Sequence, residues 1–322
     1  MDGVSVSSAA LAAEPAIQVP LDRRAVLLRG VGVILVGSVL FGVMAVCVRI
    51  AARDMVASQI TFVRFAGAFV VLLATSRGRG LRPQPGNLGR VLLRGLCGAS
   101  AILLYFRGIH DAGAGFATLL NSTYPIFTTL FATTLLGETF TRRLAVALGL
   151  DVIGIAFVLG PAAALGEHAL LGGVSSLAGA VLAGAAVSMA RQLRGSESAM
   201  LVTTYFMAVG AVATAPSLLF GLPSFGPSLV LALAAMVVTS AVAQYLLHLG
   251  LGYATATQGS LAAATSVVTA ALLGSLFLGE TLTPLMLIGG MLLVAAVTLA
   301  VSERRDATSG SVPGPRTPQP PG

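Results

Sequence analysis

Long apolar runs separated by short polar segments dominate the pattern of this 322-residue chain. Each run has about 20 residues, enough for a helix to cross a hydrocarbon core of about 30 Å, and helices are the spanning form that such runs favour. Five lie in the first half and five in the second: 29–50, 56–76, 89–109, 114–136, 143–162, 170–190, 198–217, 226–249, 256–278 and 283–302. The pattern predicts an all-α integral membrane protein with ten transmembrane helices.

The two halves are copies of one another. The segment Leu136-Gly137-Glu138-Thr139 recurs as Leu278-Gly279-Glu280-Thr281, and the same shift of 142 residues (278 − 136) aligns most of the chain without a gap. Because each half holds an odd number of predicted spans, the second copy is expected to lie upside down in the membrane, as in alternating-access transporters. We therefore predict two inverted five-helix repeats, 29–162 and 163–302, between a cytoplasmic N-terminal segment, 1–28, and a disordered cytoplasmic tail, 303–322.

Composition and charge agree with a membrane location. Mean hydropathy is +0.92, 56% of residues are apolar and only 10% are charged, against roughly a quarter charged in soluble proteins. The arginines concentrate in alternate loops, which by the positive-inside rule places both termini in the cytoplasm of a multi-pass plasma membrane protein, in bacteria the inner membrane. This distribution also assigns the net charge of +7 to membrane topology rather than to a nucleic-acid partner.

The basic residues exclude some chemistries. All 19 are arginine, whereas a phosphate-binding loop and a pyridoxal Schiff base both need a lysine. Cys47 and Cys97 fall inside predicted spans, where a thiol usually packs as a small apolar group. We expect no disulfide, no metal site and no cofactor.

Two charged residues within the predicted spans are candidates for function, because an ionisable group in the hydrocarbon region is costly. Arg64 is interpreted either as a contact for a substrate carboxylate or for gating, or as a snorkelling or carbonyl-bound structural residue. Asp151 is interpreted either as the group that carries a coupling proton or as a hydrogen-bonded packing residue.

The fourth predicted helix is more polar than contact with lipid requires, which indicates that it faces protein or water. Pro125 lies near its middle and is predicted to act as a hinge, because proline leaves the carbonyl of residue 121 without its helical partner. Asn121, Ser122 and Tyr124 would then offer a midplane surface to a small polar solute. The alternative is a kinked helix whose hydroxyl groups bond to their own backbone.

The duplication extends this candidate site to the second half. Thr265 is the copy of Thr123 and, with Ser266, is expected at the same depth across the axis between the repeats. The third and eighth helices flank the site with Tyr105, Gln244 and Tyr245. Each of these side chains suits a packing or interfacial role as well as ligand contact.

The chain resembles the drug/metabolite transporter superfamily, specifically its proteins with two EamA domains. The resemblance is carried by Thr61-Phe62-Val63-Arg64-Phe65, by Tyr105-Phe106 and the segment 114–125, and by the two Leu-Gly-Glu-Thr turns. It covers about residues 30–302 and implies a ten-helix carrier with a central cavity, in a family where many members export amino acids or other small metabolites. Phe206 and Val267 replace Arg64 and Pro125 in the second half, so the site is expected to be asymmetric.

These observations favour a secondary transporter that exports a small polar or amphipathic, amino-acid-like solute by alternating access at a midplane site. Two alternatives remain open from the sequence, an intramembrane enzyme acting on a lipid-soluble substrate and a channel. No catalytic residue is predicted, since the three histidines lie on separate segments and no serine occurs in a G-x-S-x-G turn. The expected partners are the solute, the lipid bilayer and, through Asp151, a proton.

Overall fold

The computed structural model describes residues 23–112, 120–159, 169–221, 224–278 and 284–302. The regular elements in this part of the chain are helices, without a strand. In chain order they are α1 Arg23–Ala51, α2 Ala57–Ser76, α3 Leu88–Ala112, α4 Tyr124–Leu136, α5 Arg142–Leu159, α6 Ala169–Leu193, α7 Ala199–Thr214, α8 Pro227–Gly250, α9 Ala256–Ala264, α10 Ser266–Leu278 and α11 Pro284–Ser302, with a 3-10 turn at Ala215–Phe220 after α7. The predicted cytoplasmic segment 1–28 and tail 303–322 lie almost wholly outside the described residues.

Local chemistry fixes several helix ends. Thr255 begins α9 with a capping box, in which its hydroxyl accepts from the Gln258 N–H and the Gln258 side chain accepts from the Thr255 N–H. Gly137 ends α4 in the left-handed conformation, with φ 65°, which glycine adopts without steric cost. The Leu-Gly-Glu-Thr motif thus marks a helix terminus.

The outward faces of the helices are apolar, as a bilayer requires. Val212, Leu219 and Leu276 are each more than 70% exposed, an arrangement that water disfavours and lipid satisfies. Seven helical segments among the described residues are long and apolar enough to cross a membrane, and Tyr124–Leu136 and Leu287–Ala300 are shorter apolar helices. The prediction of an all-helical membrane protein is confirmed.

Two of the predicted spans are interrupted, which corrects the expectation of continuous helices at 114–136 and 256–278. The chain turns at Ser122 and Thr123 before α4 begins, and it leaves the helix at Thr265 between α9 and α10. Thr123 and Thr265 are equivalent by the shift of 142 residues. The threonine hydroxyls make the same bond, to the Leu120 carbonyl at 2.6 Å and to the Ala262 carbonyl at 2.7 Å. The breaks are therefore a shared feature of both repeats.

The break also changes the predicted role of Pro125. Instead of kinking the middle of a helix, the proline lies in the first turn of α4, where its missing N–H has no intrahelical partner to lose. Val267 holds the equivalent position after Thr265, so the second break forms without proline. The backbone bond from residue 126 to Thr123 at 3.0 Å is matched by one from residue 268 to Thr265 at 3.0 Å. Proline thus fits the break but is not its cause.

The two repeats pack against one another where helices cross closely at glycine residues. A Cβ atom on Gly37 of α1 would lie 3.1 Å from the Ala243 carbonyl oxygen of α8, and one on Gly179 of α6 would lie 3.0 Å from the Ala101 carbonyl oxygen of α3. The two glycines, like the two alanines, are related by the 142-residue shift. Small residues allow this close approach of helices in a membrane. Each repeat therefore packs its first helix against the third helix of the other.

Repeat-equivalent helices meet in two places. Helix α2 packs against its copy α7, and α5 packs against its copy α11. These two contacts lie in separate parts of the helix bundle, which we call the α2–α7 side and the α5–α11 side. The candidate functional residues divide between them.

Candidate functional site

Arg64 joins the two repeats on the α2–α7 side. Its guanidinium Nε donates to the Ser240 hydroxyl of α8 at 3.0 Å, and its Cζ lies 5.6 Å from the centroid of the Phe65 ring. Ser240 is completely buried and Arg64 is half-buried. The guanidinium therefore points toward a helix of the other repeat rather than snorkelling away from it.

A second buried arginine, Arg94, lies close by and was missed by the sequence analysis. It is 3% exposed, and its Nη2 contacts the Nε2 of the completely buried His248 at 2.9 Å. Because arginine is only a donor, the histidine Nε2 accepts and its proton sits on Nδ1. Nδ1 donates to the Thr203 hydroxyl at 2.7 Å, which donates to the Ala199 carbonyl at 2.7 Å. Position 94, six residues into α3, was detectable by the rule that selected Arg64.

Phe206 connects the two arginines. It is the repeat equivalent of Arg64, and its ring lies 4.0 Å from the Arg94 Cζ and 5.2 Å, edge to face, from the Phe65 ring. Contact of a guanidinium with an aromatic face stabilises the buried cation. The phenylalanine that stands in the second repeat in place of arginine thus provides the aromatic ring that the Arg94 guanidinium contacts.

The predicted residues of α8 differ in position. Gln244 is buried, with its Nε2 3.4 Å from His248 Nε2, so it belongs to the group around Arg94. Tyr245 is only half-buried. Next to this group, Arg194 Nε donates to the His248 backbone carbonyl at 2.9 Å. Burial lowers the pKa of the Arg194 guanidinium.

Tyr105 and Asn121 lie in another part of the bundle, where α3 and the break before α4 contact α6. The position of a Cβ on Gly179 would be 3.2 Å from Asn121 Oδ1 and 3.3 Å from the Tyr105 backbone nitrogen. Both side chains are half-buried. They lie near the first of the two helix breaks.

On the α5–α11 side the central group is acidic. Asp151 is 1% exposed, and neither carboxylate oxygen has a hydrogen-bond partner among the described residues. The neighbouring helices α9, α10 and α11 contain no ionisable residue. The Tyr124 hydroxyl interacts electrostatically with Asp151 and donates to the Ser260 carbonyl of α9 at 3.0 Å. Among the described residues Asp151 therefore lacks the hydrogen bond that the packing interpretation expected, and its role stays a prediction.

The remaining predicted residues lie at the breaks. Ser122 is buried and Ser266 is half-buried, while the Thr265 hydroxyl bonds to its own helix. The threonines of α4 do the same; for example, Thr128 donates to the Tyr124 carbonyl at 3.0 Å. Bonding of hydroxyls to their own backbone, the alternative proposed from the sequence, holds for these threonines.

Glu138 has a contact that the sequence did not predict. Its carboxylate accepts from the Ala256 N–H at 2.8 Å and from the Thr257 hydroxyl at 3.4 Å. Ala256 begins α9, so a glutamate of the first repeat caps a helix of the second, where negative charge is favourable. Through Glu138, the motif links the end of α4 to the start of α9, the first part of the second interrupted span.

The described residues contain no group of three or more histidine, cysteine or carboxylate side chains placed to hold a metal ion. Cys47 and Cys97 are both free thiols.

Comparison with known proteins agrees with this architecture. The chain matches the EamA-like transporter family twice, over residues 28–160 and 170–302. An uncharacterized transporter of Archaeoglobus fulgidus is 30% identical over 276 residues, which cover 85% of this chain and 97% of that protein.

Two further relatives have more specific names. The pseudopaline exporter CntI of Pseudomonas aeruginosa is 28% identical, over 83% of this chain and 94% of its own. A probable terminal-alkyne amino-acid exporter of Streptantibioticus cattleyicolor is 30% identical, over 79% and 87%. A protein of known crystal structure with 21% identity has the same fold, with a TM-score of 0.73, 86% of this chain covered and 99% of the other.

Proposed function

Since the chain belongs to the EamA-like transporter family, we propose that it exports a small amino-acid-like metabolite by alternating access between its two repeats. The family and its transporter-named relatives make the protein a secondary transporter and not an enzyme. The named exporters handle pseudopaline and a terminal-alkyne amino acid. Small polar or amphipathic solutes of that class are the substrates we propose here.

The observation that carries this proposal is the pair of equivalent helix breaks. Inverted-repeat transporters commonly build their midplane sites from discontinuous helices that stand in corresponding positions of the two repeats. The breaks at Thr123 and Thr265 have this relationship, and both repeats make the same hydrogen bonds there. A continuous-pore channel would not require such a pair.

The proposed topology completes the described helices to ten spans. The broken segments count as the fourth and ninth spans, and α5 and α11 as the fifth and tenth. In this topology the repeats of five spans, 29–162 and 163–302, are inverted, and the arginine distribution supports a cytoplasmic location of both termini.

The proposed solute site lies between the arginine side and the acidic side. Arg64 offers a charge-assisted contact for a carboxylate. The other polar groups proposed for the solute lie at the two helix breaks and on α3 and α8, and they come from Asn121, Ser122, Tyr105, Gln244, Tyr245 and Ser266. Tyr124 and Asp151 close the opposite side. Thr265 contributes mainly by shaping the break.

Asp151 is proposed to couple transport to protons. A buried carboxyl group with no hydrogen-bond partner among the described residues is costly to ionise, so a proton can be held there and released when the environment changes. Among the described residues, the Tyr124 hydroxyl group interacts electrostatically with Asp151. Because α9, α10 and α11 have no ionisable residue, no cation on those helices fixes its charge.

The transport proposal is tested in proteoliposomes. Purified protein is reconstituted and assayed for counterflow with a panel of labelled amino acids and their derivatives, with protein-free vesicles as the control. Saturable counterflow of a panel member is expected. Single-channel currents without saturable counterflow would instead establish a channel, and absence of both would contradict the proposal.

A further inference from the structure

We infer that Arg94 forms a second carboxylate subsite for the solute, separate from the one proposed at Arg64. This inference rests on the proposed transport function and names the chemical group that its substrate must carry. The starting observation is that the buried Arg94 guanidinium uses only part of its donor set. Nη2 is bonded to His248, whereas the Nε–H and both Nη1–H groups have no acceptor among the described residues.

Unpartnered donors of a cation in a protein interior are costly, because burial removes water without replacing its hydrogen bonds. The contacts of Arg94 with His248 and Phe206 are both with neutral groups. They orient the guanidinium and leave its positive charge uncompensated. A ligand that brings an anionic oxygen would satisfy the donors and the charge together.

No carboxylate of the described residues accepts a hydrogen bond from Arg94 or neutralises its charge. Glu197 is the nearby acid on the same side, but its Oε1 accepts from the Gln84 N–H at 2.8 Å and from Asn87 Nδ2 at 2.7 Å. Asp151 lies on the α5–α11 side. Arg194 adds a second cation beside His248. The local charge therefore favours an anion, and a guanidinium is the protein group best suited to bind carboxylate oxygens.

The position of Arg94 suits the first contact of an exporter with its solute. Arg94 follows the start of α3 by six residues and Arg64 follows the start of α2 by seven, each about 10 Å at 1.5 Å per residue. Consecutive spans start from opposite faces, so the two arginines stand at similar depths from opposite sides of the membrane. The arginine-rich loops place Arg94 on the cytoplasmic side. A carboxylate can bind there and pass to Arg64.

The experiment measures thermal unfolding of the purified full-length protein in zwitterionic detergent. The probes are free L-amino acids and acetate, each compared at one concentration with the matching neutral or carboxylate-free compound, the amino-acid amides and acetamide. Carboxylates are expected to raise the melting temperature of the wild type more than their amides do, because ligand binding to the folded state stabilises it. A wild-type protein that acids and amides stabilise equally, or that neither stabilises, overturns the inference.

Variants test whether the larger rise in melting temperature with carboxylates depends on Arg94. Arg94→Gln should weaken the apparent affinity for acids roughly tenfold or more, the effect of losing a charge-assisted hydrogen bond. The matched control is Arg90→Gln, which removes an exposed arginine one turn earlier on the same helix and should leave the acid-dependent shift unchanged. An equal loss in both variants would overturn the assignment.

A double variant covers the case in which Arg94→Gln does not fold. Arg94→Met with His248→Phe introduces the residues of the other repeat, Met236 and Phe106, and removes both hydrogen-bonding partners together, which costs less than removing one. It should fold and lose the acid-dependent shift. Retention of the full shift in this variant would overturn the inference.

Two further measurements distinguish a solute carboxylate from a lipid phosphate as the bound anion, and distinguish failure of the Arg94 subsite from failure of the transport function. If added phosphatidylglycerol abolishes the acid effect and protects through Arg94, the subsite binds lipid phosphate and the solute assignment is wrong. If counterflow in proteoliposomes ignores the carboxylate group, the transport function stands and the Arg94 subsite falls. If acids stabilise through Arg94 but no solute is carried, the subsite stands and the transport function falls.

Discussion

The α2–α7 side and the α5–α11 side arose from the same duplication, and each brings a helix into contact with its own copy, yet their buried charges are opposite. On the α2–α7 side, Arg64 and Arg94 are held by neutral partners, a serine, a histidine and two aromatic rings. On the α5–α11 side, Asp151 has no hydrogen-bond partner among the described residues.

The repeat equivalents show where the difference arose. Phe206 takes the place of Arg64, Met236 that of Arg94 and Leu293 that of Asp151. Leu293 and Met236 are completely buried, so the same backbone position accepts either an apolar or a charged side chain. The backbone packing is shared between the repeats, while the charges belong to one repeat only. Charge that packing does not demand is where function is expected.

The largest expected effect is on the acidic side. Asp151→Asn removes the titrating group and keeps the shape of the side chain, so pH-gradient-driven flux in proteoliposomes should be abolished while solute exchange at equal pH continues. Asp54→Asn, in the exposed turn after α1, is the control. Unchanged gradient dependence in Asp151→Asn would return Asp151 to a packing role.

Replacement of the same residue by its repeat equivalent tests the cost of the buried carboxyl. Asp151→Leu should raise the free energy of unfolding by about 1–3 kcal/mol, because an unsatisfied buried polar group is exchanged for an apolar one. Thermal unfolding in detergent measures it, with Asp54→Leu expected to have little effect. A lower melting temperature for Asp151→Leu would show that the carboxyl group is satisfied in the folded protein.

On the basic side, Arg64→Gln should raise the half-saturation concentration of a carboxylate solute about tenfold, equivalent to about 1.4 kcal/mol. The loss of a charge-assisted contact is the reason. Counterflow measures it, and Arg53→Gln in an exposed turn keeps the net charge of the two variants equal. If both variants respond alike, the effect comes from general charge and not from binding.

The smallest effect is expected at the partner of Arg64. Ser240→Ala removes the acceptor of the Arg64 Nε–H and should weaken solute binding by about 1 kcal/mol, roughly fivefold, without changing the gradient dependence that Asp151 provides. Ser228→Ala, exposed at the start of the same helix, should behave as wild type. A change in pH coupling in Ser240→Ala would show that the two sides are not separate.

Much of this protein follows from local patterns in its sequence. Apolar runs of about 20 residues favoured helices in a membrane, because only a helix satisfies its backbone hydrogen bonds across lipid within a single segment. The Leu-Gly-Glu-Thr repeat located the duplication, and the same shift paired Thr123 with Thr265 at equivalent depths. The breaks themselves were not predicted, because each run of about 20 residues is apolar on average and hydropathy does not register a turn.

The candidate site was less predictable. Arg64, Gln244, Asn121 and Asp151 were recognisable as polar groups in apolar runs, and Arg94 could have been recognised in the same way, but neither the contacts of Arg94 nor the capping contact of Glu138 followed from the sequence. Their partners are far away along the chain: His248 lies 154 residues from Arg94, and Ala256 lies 118 residues from Glu138. A sequence shows which residue carries a charge, but the partner depends on which helices are neighbours.

The sequence by itself therefore determined the membrane environment, the two copies and the positions of the costly charges, since these depend on composition and spacing alone. Only the tertiary structure decided that α1 packs on α8 and α3 on α6, and that Arg94 rests on Phe206 while Asp151 has no hydrogen-bond partner among the described residues. Close glycine crossings fix these neighbours through contacts between distant segments. Such contacts depend on the shape of both helices at once, which no single stretch of sequence contains.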